Sequence, residues 1–145
     1  PRGSSEIYDF AVLNSLGTPA EADSSFYFTP HATVTVDLGD RITATISVPT
    51  KVRATIPPEG AQVRFGICYR KVSPLPVSSL EFFSGIGSDI LVHFRTAGWQ
   101  TLSSSGTVVP SSAGDYQVGM CFFSWAPENL NLDFDWSKGF VEVTS

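Results

Sequence analysis

Hydrolysis by a Ser-His-acid set needs a nucleophile on a strained turn with a histidine in reach, and this chain holds two histidines, His31 and His93. Neither lies in a catalytic motif. His93 falls in the apolar run Ile90–Phe94, where a hydrogen-bonded structural role fits better, and His31 follows Pro30 at the start of a strand, where solvent is the expected neighbour. Gly85-Ile86-Gly87-Ser88-Asp89 lacks the glycine two residues after the serine that a nucleophile elbow requires, so it reads as a turn. The sequence has no Gly-rich phosphate loop and no Cys/His zinc spacing. A glycosidase needs one carboxylate pair flanking the scissile bond, and nothing singles out such a pair here. The expectation is a non-catalytic protein, with a hydrolase as the outside reading.

A more ordered polar set is Asn129-Leu130-Asn131-Leu132-Asp133-Phe134-Asp135-Trp136, in which every second residue offers an oxygen. Calcium takes about six to eight oxygens, which makes Asn129, Asn131, Asp133 and Asp135 a candidate Ca²⁺ set. The large apolar residues between them, and the lack of a glycine for a sharp turn, fit the solvated face of an amphipathic strand better. No cofactor or metal is therefore expected, with calcium as the alternative. Asp37-Leu38-Gly39-Asp40 reads as a plain turn.

The aromatic residues are more informative. Phe26-Tyr27-Phe28, Phe82-Phe83 and Phe122-Phe123-Ser124-Trp125 place rings side by side, and consecutive strand residues point to opposite faces. Some rings must then leave the interior of a two-layer sandwich and need a cover. That cover is a loop of the chain itself, a sugar stacked on a flat ring beside Asn, Asp or Arg, or another protein. The candidate ligand site is Trp125 and Phe123 with Arg64, followed by Trp99 and Trp136 with Asp133 and Asp135. Each ring also has an interior reading, Trp136 most of all.

Two segments echo each other: Val63-Arg64-Phe65-Gly66-Ile67-Cys68-Tyr69 and Tyr116-Gln117-Val118-Gly119-Met120-Cys121-Phe122. The echo reflects either shared strand grammar or sheet neighbours. If they are neighbours with Cys68 opposite Cys121, Gly66 faces Phe123 and Arg64 faces Trp125, and Cys68–Cys121 is a candidate disulfide closing a long loop.

The elements that would position these residues are strands. Alternation of period two dominates, bounded by Pro, Gly, Ser and Asn. It is clearest over Arg41–Val48, ended by Pro49, and recurs over Lys51–Ile56, Ala61–Arg70 and Asp115–Ser124. Shorter runs are Ile7–Leu13, Ser25–Thr29, Ala32–Val36, Ile90–Phe94, Trp99–Leu102, Thr107–Val109, Asn129–Trp136 and Gly139–Thr144. Pro57-Pro58-Glu59-Gly60, Ser103–Gly106 and Ser111–Gly114 read as turns or hairpin loops, and Pro76–Phe83 is the one place for a helical turn, with Leu80 and Phe83 at helical spacing. Some ten to twelve short strands at this spacing predict an all-β, two-layer antiparallel β-sandwich, jelly-roll or immunoglobulin-like, with a closed β-barrel as the alternative.

Composition agrees. Of 145 residues 42% are hydrophobic and 16% charged, which suits one folded domain large enough to bury a core. Pro1-Arg2-Gly3-Ser4 reads as the remnant of an expression tag, leaving residues 5–145 as a single domain. The 9 basic and 14 acidic side chains give −5, or 8 against 14 and −6 without Arg2, which argues against nucleic acid and anionic membrane surfaces as partners. The longest apolar runs fall far short of the roughly 18 residues that a membrane-spanning helix needs. The Ser/Thr-rich, lysine-poor, all-β style is similar to that of accessory β-sandwich modules of secreted bacterial proteins, carbohydrate-binding modules among them. That likeness implies a secreted or cell-surface recognition module with a glycan ligand. The alternative is a structural or adhesive domain that seats another protein or a second copy of itself.

Overall fold

The computed structural model describes residues 3–10, 26–28, 31–52, 61–83, 90–94, 98–123, 132–134 and 137–145. They form eleven strands: β1 (Gly3–Phe10), β2 (Phe26–Phe28), β3 (Ala32–Val36), β4 (Arg41–Val52), β5 (Ala61–Ser73), β6 (Glu81–Phe82), β7 (Ile90–Phe94), β8 (Gln100–Val108), β9 (Gly114–Phe123), β10 (Leu132–Phe134) and β11 (Ser137–Thr144).

The strands make two antiparallel sheets. In the first, β4 has β11 and β10 along one side and β8 along the other, and β1 lies beyond β11. In the second, β9 and β5 pair at the centre, flanked by β2 and β3 on one side and by β6 and β7 on the other. Counting β2/β3, β6/β7 and β10/β11 each as one interrupted strand, the first strand pairs with the eighth, the second with the seventh, the third with the sixth and the fourth with the fifth. This nested pairing is a double-hairpin ribbon rolled on itself, the jelly-roll form of the sandwich. Among the described residues no strand closes the sheets into a barrel.

Period two decides what fills the space between the layers. Ile42, Ala44, Ile46 and Val48 of β4 face Val63, Phe65 and Ile67 of β5 and Val118, Met120 and Phe122 of β9, all of them buried. Each fully buried Ile or Phe contributes about 2–3 kcal/mol by area.

Three local expectations are corrected. Pro49 does not end its strand: β4 runs on to Val52, and Pro49 stands where β11, which pairs up to Ser47, gives way to β10, which pairs from Thr50. Ser103–Gly106 is not a hairpin loop but the middle of β8, because its hydroxyls bond across to β4 (Ser103 to Ser47, 2.7 Å) while Leu102 and Ser104 turn inward. Pro76–Phe83 holds no helical turn. A separation of three is odd, so Leu80 and Phe83 fall on opposite faces of an extended chain, Leu80 outside the second sheet and Phe83 in the main core. The Pro57–Gly60 and Gly85–Asp89 turns lie outside the described residues.

Candidate functional site

The echoing Gly-x-Cys segments are sheet neighbours, joined by a Cys68–Cys121 disulfide with Cα atoms 5.6 Å apart. The register differs from expectation by two residues. Cys68 pairs with Gly119 and Cys121 with Gly66, while Arg64 lies opposite Phe123 rather than Trp125. The bridge thus crosses a diagonal, and each cysteine has a glycine directly across from it. Glycine at position 119 also admits the Phe28 ring, since a Cβ there would come within 2.9 Å of it.

On this outer face the chain covers its own rings. Leu80 is buried and Phe28 and Phe82 are partly buried around the disulfide, forming a second apolar cluster. Phe28 stacks flat on His31 at 4.9 Å, with the Arg70 guanidinium 5.6 Å from its centroid, and Arg70 Nε donates to Gln117 Oε1 at 2.9 Å. His31 is therefore half-buried against a ring rather than wholly solvated. The alternation argument held for Phe82 and Phe83, and the cover for Phe82 is the chain itself.

The predicted ligand residues that are described lie on both sheets. Half-buried Arg64 and the backbone of Phe123 belong to the second sheet. Trp99 precedes β8 on the first, 51% exposed, with Lys51 Nζ 5.9 Å from its ring centroid. Lys51 also pairs through its backbone with Asp133 of β10, so Trp99 and Asp133 flank the same end of β4. Trp125, Asp135 and Trp136 lie outside the described residues, as do Asn129 and Asn131. The structure thus sets Trp99 and Asp133 at one end of the first sheet, and Arg64 directly opposite Phe123 on the second.

The opposite end of the sandwich is where β3 turns into β4, β5 leaves toward β6 and β8 turns into β9. Register fixes this: Val36 pairs with Gly114, Ser73 with Asp115 and Ile42 with Val108. Four large apolar side chains stand in solvent there: Leu38 (75% exposed), Leu75 (78%), Val77 and Val109. Leu38 is held out by its turn. Asp40 N–H donates to the Asp37 carbonyl at 3.0 Å, the Asp40 carboxylate accepts from Asp37 N–H at 2.9 Å, and Gly39 takes φ +92°.

A cleft of about 160 Å³ opens beside these loops, bordered by Tyr69, Lys71, Glu81 and Tyr116. It is small against the roughly 300–1,000 Å³ of a small-molecule site. Lys71 Nζ donates to Ser112 Oγ at 2.9 Å, the Tyr116 phenol donates to the Ser112 carbonyl at 2.8 Å, and the Ser112 hydroxyl in turn donates to the phenol oxygen at 3.2 Å. This network braces the β8–β9 turn against β5. Burial pushes the Tyr69 phenol above the ordinary tyrosine range, reinforced by the neighbouring Glu81 carboxylate.

No family model matches the sequence. No curated protein matches it either. Among solved structures it is similar to a chain of infectious bursal disease virus, Gx strain, with 7% identity, 99% of this chain and 33% of that one covered, and a TM-score of 0.49. A chain of the Gt strain gives 8% identity, 96% and 32% coverage, and a TM-score of 0.44. The present chain spans about a third of the length of those chains.

The exposed end was missed in reading the sequence, although its signal was there. Leu38 sits between Asp37 and Gly39 in a turn, and Leu75 lies between two prolines. Large aliphatic residues at such positions cannot reach a sheet interior.

Proposed function

We propose that this domain is a non-catalytic structural module whose work is protein–protein contact, in an oxidising or extracellular setting. The observation that carries the reading is the gathering of Leu38, Leu75, Val77 and Val109 on loops at one end of the sandwich. Water-exposed aliphatic residues concentrated in one place mark surfaces that are covered in use. On the outer face of the second sheet the chain packs Leu80, Phe28 and Phe82 around the disulfide, so these rings are covered by the chain itself. A disulfide between central strands fits an oxidising compartment.

A glycan-array screen run alongside sedimentation velocity on the purified domain tests this. Silence on the array together with self-association or a defined protein partner is the expected result. Reproducible sugar binding that is lost on Trp99→Ala, with the fold intact, overturns it in favour of the carbohydrate reading.

A further inference from the structure

We propose that β8 is the docking strand for a second copy of this chain, its edge away from β4, which has no partner strand among the described residues, pairing antiparallel with the same edge of the copy and continuing the first sheet across a two-fold axis. The inference rests on the contact-module reading and names its partner and surface.

A sheet edge presents unpaired N–H and C=O groups, and folded proteins protect such edges with charge, proline, bulges or short strands. Among the described residues the two sheets have four edges, and three of them are protected. β1 carries Glu6 and Asp9, and the two edges of the second sheet are each divided, into β2 and β3 of three and five residues and into β6 and β7 of two and five. β8 is different. It runs nine residues from Gln100 to Val108 with no charge and no proline, and its register with β4 is unbroken. Among the described residues β4 is its one partner strand. Its outward side chains Thr101, Ser103, Ser105 and Thr107 are small and exposed, so nothing bulky keeps another backbone away.

The same residues indicate the occupant. A hydroxyl both donates and accepts, so a row of hydroxyls is complementary to itself, and this sheet already uses such pairs: Ser47 with Ser103 at 2.7 Å and Thr43 with Thr107 at 3.3 Å. A two-fold axis through Ser104 sets Ser103 against the copy's Ser105 and Thr101 against the copy's Thr107, repeating the serine–serine and threonine–threonine pattern of the β4–β8 ladder. Antiparallel pairing is the sense of every ladder among the described residues. At −5 per chain the copies repel at long range, so added salt strengthens this dimer, whereas it would weaken one held by ion pairs.

The test is sedimentation velocity on the full 145-residue chain across a wide concentration range at low and high salt, with hydrogen exchange on the same samples. The expected result is a dimer that grows with concentration and with salt, in which amides of residues 100–108 gain protection in step. Thr101→Lys with Ser105→Lys should weaken it by about tenfold or more, the scale expected when charge is set against a strand pair. These changes move the net charge from −5 to −3, so general repulsion alone would shift association the other way. The exchange measurement needs no substitution and holds even if the lysine variant folds poorly.

A chain that stays monomeric throughout overturns the inference, as does exchange at 100–108 that ignores concentration. A dimer lost on Leu75→Ser with Val77→Ser, but indifferent to the lysines, overturns the β8 edge while leaving the contact-module reading in place. Protection of 100–108 only when a different protein is added assigns the edge to another partner and also overturns the inference.

Discussion

Reducing the Cys68–Cys121 bond perturbs the fold in a way whose size follows from the chain itself. The bond closes a loop spanning 53 positions, and the chain-entropy relation gives a loss of about 4 kcal/mol on opening a loop of that length. For a domain of this size each kcal/mol shifts the melting midpoint by about 2–4 °C, so reduction should lower it by roughly 8–16 °C. Urea titrations of oxidised and reduced wild type measure the same quantity isothermally. The denaturant slope should rise on reduction, because the freed unfolded chain exposes more surface. Cys68→Ala with Cys121→Ala separates the cross-link from packing: beyond the loss on reduction, the double variant should lose a further 1–2 kcal/mol or so from the sulfur atoms buried beside Leu80. If reduced and oxidised protein unfold at the same urea concentration, the bridge does not constrain the unfolded chain and the reasoning fails.

Three further outcomes follow from single side chains. Gly139→Ala would drive a Cβ into the Thr45 carbonyl oxygen and within 2.8 Å of the Ile46 Cα, both backbone atoms of β4, so urea unfolding should show a loss of about 1–3 kcal/mol. Ser104 is 6% exposed with a buried hydroxyl that meets no partner, so Ser104→Ala should leave stability unchanged or raise it by up to about 1 kcal/mol in the same assay; a clear loss would show that the hydroxyl is bonded. Tyr69 should ionise later than a free tyrosine, seen as an alkaline phase in phenolate absorbance that Tyr69→Phe abolishes. Since the folded state holds that proton more tightly, the stability Tyr69 contributes is full below the ordinary tyrosine pKa and is lost as pH rises toward the raised value.

The layers of this fold were legible because both central strands alternate without interruption: Val63, Phe65, Ile67 and Tyr69 in β5 and Tyr116, Val118, Met120 and Phe122 in β9 announce which side is buried. Register was not legible to the same degree. Alternation fixes parity, and a shift of two residues preserves parity, so the pairing of Cys68 with Gly119 rather than with Cys121 left no trace in the pattern. β8 was obscured for another reason. Its inward positions include Ser104 and its outward ones are serine and threonine, so the apolar contrast that marks a strand is flattened, and only hydrogen bonds to β4 show that the segment is extended. Asn129, Asn131 and Asp135 of the alternating polar set and two of the three tryptophans lie outside the described residues. The rings that can be placed show that adjacency predicts which face a ring takes but not what covers it. Phe82 needed a cover, and the chain supplied its own.

The position of β11 bears on how the molecule comes to be made. It sits between β1 and β4, yet of the described strands it is the one made latest in chain order. Among the described residues β11 is the one partner strand of β1, and until residues 137–144 are in place β4 is left bare along most of one flank. Folding of that sheet is a late, all-together event governed by distant pairings, the slow kind. Until that pairing forms, one flank of β4 stays open to wrong partners, so this is the interval in which helper proteins would matter most to the yield.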